Sequence, residues 1–236
     1  MAEQQRAPLN LIFDADDTLW DSNVHFIEAE QSFVAAVRQA GIEAEPATVA
    51  SLIRQCEIEI IKTHGYGRRP YVMALHQALD ALGAPENSGT RMRAEIERLG
   101  EHLIDRHCEL LPGVASTLEE LAARHRLLLF TKGQRDEQLQ KLERSGLAPL
   151  FSMVEVPSEK DTPAYQRLIE SAELEPALTF MIGNSPRSDI NPALKAGLRA
   201  VYIPHPHTWI LEQETVDLAD ERVIMLPNFH SLREVF

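Results

Sequence analysis

Two patterns of hydrophobic positions divide the chain. Between residues 23 and 103, apolar residues recur at helical spacing, whereas the beginning and the later part of the chain carry short apolar runs. The helical pattern predicts four segments, which lie at about Asn23–Ala40, Pro46–Ile60, Pro70–Leu82 and Met92–Leu103. Four consecutive amphipathic helices with short connections are typical of a small helical bundle.

Outside this stretch, short apolar runs alternate with helical segments. The predicted strands are Leu9–Phe13, Leu127–Phe130, Phe151–Val156, Leu178–Ile182 and Ala200–Ile203, and the predicted helices between them are Asp136–Arg144, Thr162–Ala172 and Ser188–Ala196. Such alternation favours an α/β fold with a Rossmann-like, doubly wound parallel sheet. Because the first strand belongs to that sheet, the bundle is an insertion. We expect a core domain from residues 1–20 and 110–236 and a helical cap domain from residues 21–109.

Composition and charge narrow the classes of function. A formal net charge of −13 argues against a nucleic-acid or anionic-membrane partner. The polar N-terminus is unlike a secretory signal, and no apolar stretch approaches a membrane span, so we expect a cytoplasmic protein. Cys56 and Cys108 are far apart in sequence and are expected to be reduced thiols. Composition leaves open whether the protein is a monomer or a homodimer.

The first strand ends in a run of acids, Asp14-Ala15-Asp16-Asp17-Thr18. In an open α/β sheet the ligand crevice lies outside the carboxyl ends of the strands. Three carboxylates gathered there would repel one another unless a cation joins them, and oxygen ligands favour a hard ion such as Mg²⁺. The alternative is an acidic loop that only caps the strand. The run predicts metal-dependent phosphate chemistry.

Three later strands each lead to further polar groups. Thr131-Lys132-Gly133 offers a hydroxyl and amides for phosphate oxygens, Lys160 precedes a helix, and Asn184 and Asp189 follow the fourth strand. Each has a simpler interpretation taken alone: a helix-capping hydroxyl, a solvated lysine and a turn-forming asparagine. Their positions at successive strand ends favour one shared site.

In this order the four elements resemble the motifs of the haloacid dehalogenase-like hydrolase superfamily, and specifically its phosphatase branch with a helical cap after the first strand. The resemblance implies that Asp14 is a nucleophile that forms an aspartyl-phosphate and contacts Mg²⁺. It implies that Asp16 is the general acid and base and lends its backbone carbonyl to the metal, and that Thr18 orients Asp16. Thr131, Lys132, Gly133 and Lys160 would hold the phosphoryl group of a small phosphorylated metabolite.

The fourth motif departs from the family pattern. Asn184 stands where the first of two acids is usual, which leaves Asp189 as the ionised member. One negative charge fewer predicts weaker Mg²⁺ binding, and either Asn184 or Asp189 remains a candidate for the direct metal ligand.

Two further clusters lie outside these motifs. His64, Tyr66, Arg68 and Arg69 lie in a glycine-containing connection between predicted cap helices, where they form either a substrate-specificity element or an ordinary polar loop. Trp20 and His25, at the crossing into the cap, are weaker candidates of the same kind. His205 and His207 suggest zinc, but no thiols or further acids lie nearby in sequence, so a proline-stiffened loop is preferred.

Three rival functions stay open. Dehalogenases of the same superfamily also attack with an aspartate, but they need no metal and lack the second acid of the first motif, so Asp16 favours phosphoryl transfer. A phosphomutase would use the same aspartyl-phosphate. A non-catalytic phosphate-binding or phospho-accepting module is the third alternative.

Overall fold

The computed structural model describes residues 8–106 and 109–236, and the chain divides into two compact units. One unit consists of Met1–Asp21 and Cys108–Phe236, and the other of Ser22–His107. Cys56 is a buried free thiol, whereas Cys108 lies outside the described residues. Among the described residues, no helix is both long enough and apolar enough to cross a membrane.

The first unit is built on a six-stranded parallel sheet in the order β3-β2-β1-β4-β5-β6. Its strands are β1 (Asn10–Phe13), β2 (Arg126–Phe130), β3 (Met153–Glu155), β4 (Thr179–Gly183), β5 (Arg199–Tyr202) and β6 (Val223–Met225). β1 is central, and its last residue, Phe13, is aligned with Leu129 of β2 and Ile182 of β4. The chain therefore leaves these three strands at the same edge of the sheet.

Apolar side chains cover both faces of this sheet. Leu11 and Phe13 of β1 belong to one hydrophobic cluster and Ile12 to another, as expected for side chains that alternate along a strand buried on both faces. The helices of this unit are α5 (Val114–Ala122), α6 (Arg135–Arg144), α7 (Thr162–Ser171), α8 (Asn191–Lys195) and α9 (Leu232–Val235). The predicted α/β fold with a Rossmann-like parallel sheet is confirmed.

The structure differs from the sequence-based elements mainly after β4 and near the C-terminus. The predicted helix Ser188–Ala196 is instead a π-helical turn, Pro186–Ile190, followed by α8. In this wider turn the amide of Ile190 donates to the carbonyl of Ser185. The sequence patterns also did not predict β6, α9 and α5. The first two have too few residues to show a hydrophobic period.

The second unit is helical and has its own apolar core. It contains α1 (Asn23–Gln39), α2 (Pro46–His64), α3 (Arg68–Ala81) and α4 (Glu86–Arg106), which confirms the four predicted helices. Phe33, Ile53, Leu75 and Ile96, one from each helix, are fully buried in one cluster. Gly100 permits a close helix contact, because a Cβ there would lie 2.6 Å from Cγ2 of Val72.

Candidate active site at the carboxyl edge of the sheet

A tight loop follows β1 and carries the acidic run. The amide of Leu19 donates to the carbonyl of Ala15 at 2.8 Å, and the amide of Asp17 donates to the carbonyl of Trp20 at 2.8 Å. Asp17 adopts a φ of +59°, which is uncommon for a residue with a side chain. These contacts fold the loop back on itself directly beyond the sheet edge.

Asp14 lies in a buried cluster of charges. Its Oδ1 accepts a hydrogen bond from Nζ of Lys160 at 2.5 Å, and the same ammonium group donates to Oδ1 of Asp189. Lys160 also donates to the carbonyl of Phe130, the last residue of β2, at 3.3 Å. Asp14, Lys160 and Asp189 are at most 7% exposed. Lys160 is therefore a buried cation shared by two buried carboxylates, one from the loop after β1 and one from the turn after β4.

The electrostatics of the cluster follow from this burial. Loss of hydration and the negative charge of Asp189 raise the pKa of Asp14 to about 7, although the charge of Lys160 opposes them. Burial also raises the pKa of Asp189, against the opposing effect of Lys160. Burial alone would lower the pKa of Lys160, but the two carboxylates outweigh it and raise that pKa. One cation thus does not fully offset two buried anions, and the cluster favours a further positive charge.

Asn184 presents its amide oxygen to this cluster. Its Nδ2 donates to Oγ1 of Thr208 at 3.1 Å, which leaves Oδ1 facing the Thr18 hydroxyl at 3.3 Å. The same hydroxyl lies 3.3 Å from Oδ2 of Asp14. One oxygen of Asp14 and the amide oxygen of Asn184 therefore face a common point.

Asp189 has both carboxylate oxygens engaged by the protein. Oδ1 accepts from Lys160, and Oδ2 accepts from the amide of Ser185 at 2.8 Å. Its carboxylate packs so closely against the backbone that a Cβ on Gly183 would overlap it. Glycine at the end of β4 is therefore required by the position of Asp189.

The Asp16 carboxylate contacts α6. Oδ1 accepts from Nε1 of Trp20 and from Nζ of Lys141, both at 2.7 Å, and Oδ2 accepts from Nε2 of Gln138 at 2.8 Å. Burial alone would raise the pKa of Asp16, but the charge of Lys141 and these hydrogen bonds outweigh it and lower the pKa to about 2. In this arrangement Asp16 is a carboxylate anion.

The loop after β2 holds three of the four predicted phosphate ligands, Thr131, Lys132 and Gly133. Thr131 is buried, and its amide donates to the carbonyl of Glu155 at 3.2 Å. Gly133 has a φ of +128°, and a Cβ there would lie 2.9 Å from Nε2 of Gln138, so glycine is needed for two reasons. Lys132 extends to Oε1 of Glu212, at 2.6 Å.

Sequence reasoning missed several partners of the site. Gln138, Lys141 and Glu212 are separated by 80 or more residues from the groups they hold at Asp16 and Lys132. No hydrophobic period or short motif connects residues so distant in sequence. Only the fold brings them together.

His205 has acidic neighbours that the sequence did not indicate. Its Nε2 lies 3.3 Å from Asp21 and its Nδ1 lies 3.8 Å from Asp17. These three side chains place ligand atoms within 4.8 Å of one another. Burial lowers the pKa of His205, although Asp21 opposes this. The acids that a metal site at His205 would need come from the loop after β1, while His207 is not part of this group.

The predicted specificity residues lie at one connection of the helical unit. His64 ends α2, Arg68 and Arg69 begin α3, and Tyr66 lies between them. Gly65 and Gly67, which flank Tyr66, both have positive φ. His64 and Arg69 are exposed, and Tyr66 and Arg68 are half-buried. This connection therefore offers polar and aromatic groups at a surface of that unit.

The parallel sheet and the buried charge cluster at its edge are typical of one class of hydrolase. Comparison with known proteins identifies this class. The family model described as haloacid dehalogenase-like hydrolase matches residues 11–203. The chain belongs to this family and is a hydrolase of the haloacid dehalogenase-like type.

Among characterised relatives, the chain is 26% identical over 199 residues to glyceraldehyde 3-phosphate phosphatase of Methanopyrus kandleri, with 82% of each chain covered. It is 27% identical over 134 residues to pyrimidine 5'-nucleotidase YjjG of Escherichia coli, which covers 53% of this chain and 60% of that protein. The match thus spans less than two thirds of YjjG.

Solved structures share the fold. A haloacid dehalogenase-like family hydrolase from Xanthomonas campestris has a TM-score of 0.80 and 28% identity, covering 100% of this chain and 93% of that chain. A 2-haloacid dehalogenase from Pseudomonas syringae has a TM-score of 0.63 and 20% identity, with 97% of each chain covered. The second likeness concerns the fold alone.

Proposed function

We propose that the protein is a Mg²⁺-dependent phosphatase that hydrolyses a small phosphorylated metabolite through an aspartyl-phosphate on Asp14. One observation carries the proposal: Asp14 is a buried carboxylate held at 2.5 Å by the buried Lys160, with a second acid, Asp16, two residues further on. The family resemblance implies that dehalogenases have no acid at the position of Asp16, so this residue favours phosphoryl transfer. The names of the two relatives reported above, a phosphatase and a 5'-nucleotidase, favour the same choice.

The donor groups fit Mg²⁺. Oδ2 of Asp14 and Oδ1 of Asn184 both lie 3.3 Å from Thr18 Oγ1, and hard oxygen donors are what Mg²⁺ prefers. These two oxygens, with the backbone carbonyl of Asp16, would hold the ion. Asp189 is the weaker candidate for a direct ligand, because Lys160 and the amide of Ser185 already bind its two oxygens. When bound, the ion would neutralise charge on Asp14 and the phosphoryl group.

The attack on phosphorus begins at Asp14. Lys160 holds this carboxylate in place and offsets negative charge as the phosphoryl group approaches. The hydroxyl of Thr131 and the amides after it hold phosphoryl oxygens. The bond from phosphorus to the ester oxygen breaks as the bond to the Asp14 carboxylate forms, and water then hydrolyses the aspartyl-phosphate.

Asp16 supplies and removes the protons. It protonates the leaving ester oxygen in the first step and accepts a proton from the attacking water in the second. Because Lys141, Gln138 and Trp20 hold Asp16 as an anion, its carboxylate has to leave these partners and take up a proton from water before it can protonate the ester oxygen. The resting arrangement suits the second step better than the first.

Hydrolysis of para-nitrophenyl phosphate with Mg²⁺ tests the proposal. We expect turnover by the parent protein and a loss of at least about a thousandfold in kcat for Asp14→Asn, which keeps the shape but removes the nucleophile. Equal rates for the two proteins would refute the proposal. Chloride release from 2-chloropropionate without metal would instead support a dehalogenase.

Substrate choice is proposed to depend on the connection between α2 and α3. A panel of phosphorylated metabolites is assayed with the parent, Arg68→Ala and Arg69→Ala. For the preferred substrate we expect kcat/KM to fall about tenfold, the scale of one lost charge-assisted contact, with little change for para-nitrophenyl phosphate. If both variants hydrolyse every member as the parent does, this connection is not a specificity element.

A further inference from the structure

We propose that Glu212 is a positioning residue for Lys132, which it retains in an ion pair so that the positive charge of Lys132 does not strengthen phosphate binding at the neighbouring Thr131. This inference rests on the proposed phosphatase function. It assigns a role to a residue outside the four family motifs, and it changes the role expected for Lys132 from phosphate ligand to partner of Glu212.

The contacts of Glu212 carry the proposal. Its Oε1 accepts from Nζ of Lys132 at 2.6 Å, and its Oε2 accepts from Oγ of Ser185 at 2.6 Å. Lys132 also donates to Oγ of Ser188 at 2.9 Å. The Lys132 and Glu212 side chains are only 12% and 13% exposed. One carboxylate thus joins the loop after β2 to the turn after β4.

The position of Glu212 in the chain supports a dedicated role. It ends a three-residue 3₁₀ turn, Ile210–Glu212, in the segment after β5, and the neighbouring Ile210 is exposed. A side chain from the turn after β4 also contacts this segment, because Nη1 of Arg187 donates to the carbonyl of Leu211 at 2.9 Å. Glu212 therefore turns inward from a surface segment, and its carboxylate meets the ammonium group of Lys132, the residue that follows Thr131.

Charge explains what this contact does. A cation with little access to water attracts a nearby phosphate strongly, whereas a cation already paired with a carboxylate contributes much less. With Glu212 in place, Lys132 therefore adds little positive charge to the phosphate site. A phosphatase must release inorganic phosphate in every turnover. Loss of the Glu212 charge would leave Lys132 with weaker compensation, from groups such as the exposed Glu159 at 3.9 Å, and would slow that release.

Calorimetric titration of inorganic phosphate in the presence of Mg²⁺ tests the inference. The proteins compared are the parent, Glu212→Gln and the double variant Lys132→Met/Glu212→Gln. Glutamine keeps the size of the side chain but removes its charge. We expect Glu212→Gln to bind phosphate at least about fivefold more tightly and the double variant to reverse most of this gain. Steady-state kinetics of Glu212→Gln should show KM and kcat both lowered, since product leaves more slowly.

Three outcomes overturn the inference. The first is unchanged or weaker phosphate binding by Glu212→Gln. The second is a gain in phosphate affinity that persists in the double variant. The third is a raised KM with a lowered kcat for Glu212→Gln, which indicates only structural damage. If Glu212→Gln does not fold, Glu212→Asp replaces it. The shorter carboxylate weakens the pair, and tightening of less than about twofold contradicts the inference. If the parent itself binds no phosphate and hydrolyses no ester, the proposed function fails as well; if only the variants disagree, the inference alone fails.

Discussion

The two units of the chain bury different kinds of side chain. Within the described residues, every buried charged side chain belongs to the α/β unit, namely Asp14, Asp17, Lys160 and Asp189. The buried cluster of the helical unit is apolar throughout, apart from the hydroxyl of Tyr71 and the thiol of Cys56. Apolar burial needs no specific partner, whereas each buried charge needs a compensating group.

This difference shows that the buried charges of the candidate active site reduce the stability of the α/β unit and not that of the helical unit. The cluster around Lys160 stabilises the fold only while all its members are present, because removing one leaves the others buried and uncompensated. The helical unit can exchange apolar residues of similar volume at a cost below about 1.5 kcal/mol. We therefore expect the two units to respond differently to matched substitutions.

The largest effect on stability is expected for Lys160→Met. Loss of the ammonium leaves Asp14 and Asp189 buried without their shared cation, which should lower the free energy of unfolding by about 3–5 kcal/mol at pH 8. The loss should shrink towards pH 5. The pKa of Asp14 is already raised to about 7, so protonation removes the uncompensated charge as the pH falls. Urea unfolding of the parent and of Lys160→Met at pH 8 and pH 5 measures this loss of stability.

Lys62→Met is the matched control. Lys62 is an exposed lysine of α2, so its replacement should change stability by no more than about 0.5 kcal/mol. Similar losses for the two lysine variants would contradict the contrast between the units.

Two glycines give the next comparison. A Cβ at position 183 would overlap the carboxylate of Asp189, whereas one at position 100 would meet a methyl group of Val72. Each alanine variant should lose about 1–3 kcal/mol of stability through overpacking. Gly183→Ala should also lower kcat about a hundredfold, because Asp189 and Lys160 shift together. Thermal unfolding and para-nitrophenyl phosphate turnover are measured for both variants. If Gly100→Ala loses as much activity as Gly183→Ala, the expected difference between the two units is wrong.

The smallest effect concerns an acid of the helical unit. Glu57 is half-buried. This partial burial, followed by the charge of Glu30, raises the pKa of Glu57 to about 7, although Arg54 opposes this. A raised carboxyl pKa means that the folded state loses stability as the pH rises from about 4.5 through 7. Glu57→Gln should therefore add about 1 kcal/mol at pH 8 and nothing near pH 4.

Thermal unfolding across this pH range checks the expectation. Glu43→Gln, which changes an exposed acid of the same unit, is the control. An equal gain at both pH values, or the same gain from the control, would show that burial of Glu57 is not the cause.

Sequence patterns predicted the fold well because most of its helices and central strands have a clear hydrophobic period. The helices of the second unit and the strands β1, β2 and β4 follow hydrophobic periods that hold for several residues. The placement of Asp14, Lys160, Asn184 and Asp189 near one another also follows from elementary geometry. Parallel strands deliver the residues after them to one edge of the sheet.

What the sequence could not predict depends on side-chain reach between distant segments. Asp16 turns towards Gln138 and Lys141, and Lys132 towards Glu212, across 80 to 125 residues. No local pattern encodes such contacts, since each charged residue alone resembles a solvated one. The π-helical turn Pro186–Ile190 was missed for a related reason. Its shape follows from the position of Asp189 beside Gly183, and no hydrophobic period indicates it.

The proposed mechanism requires that the Asp14 carboxylate becomes phosphorylated during turnover. The direct measurement mixes the protein with para-nitrophenyl phosphate and Mg²⁺, quenches with acid within the first turnovers, and locates phosphoryl groups by mass spectrometry of the peptide that contains Asp14. We expect one added phosphoryl group on Asp14 in the parent protein and none in Asp14→Asn. Release of phosphate by the parent with an unmodified Asp14 peptide at every quench time, or a phosphoryl group on another residue, would contradict it.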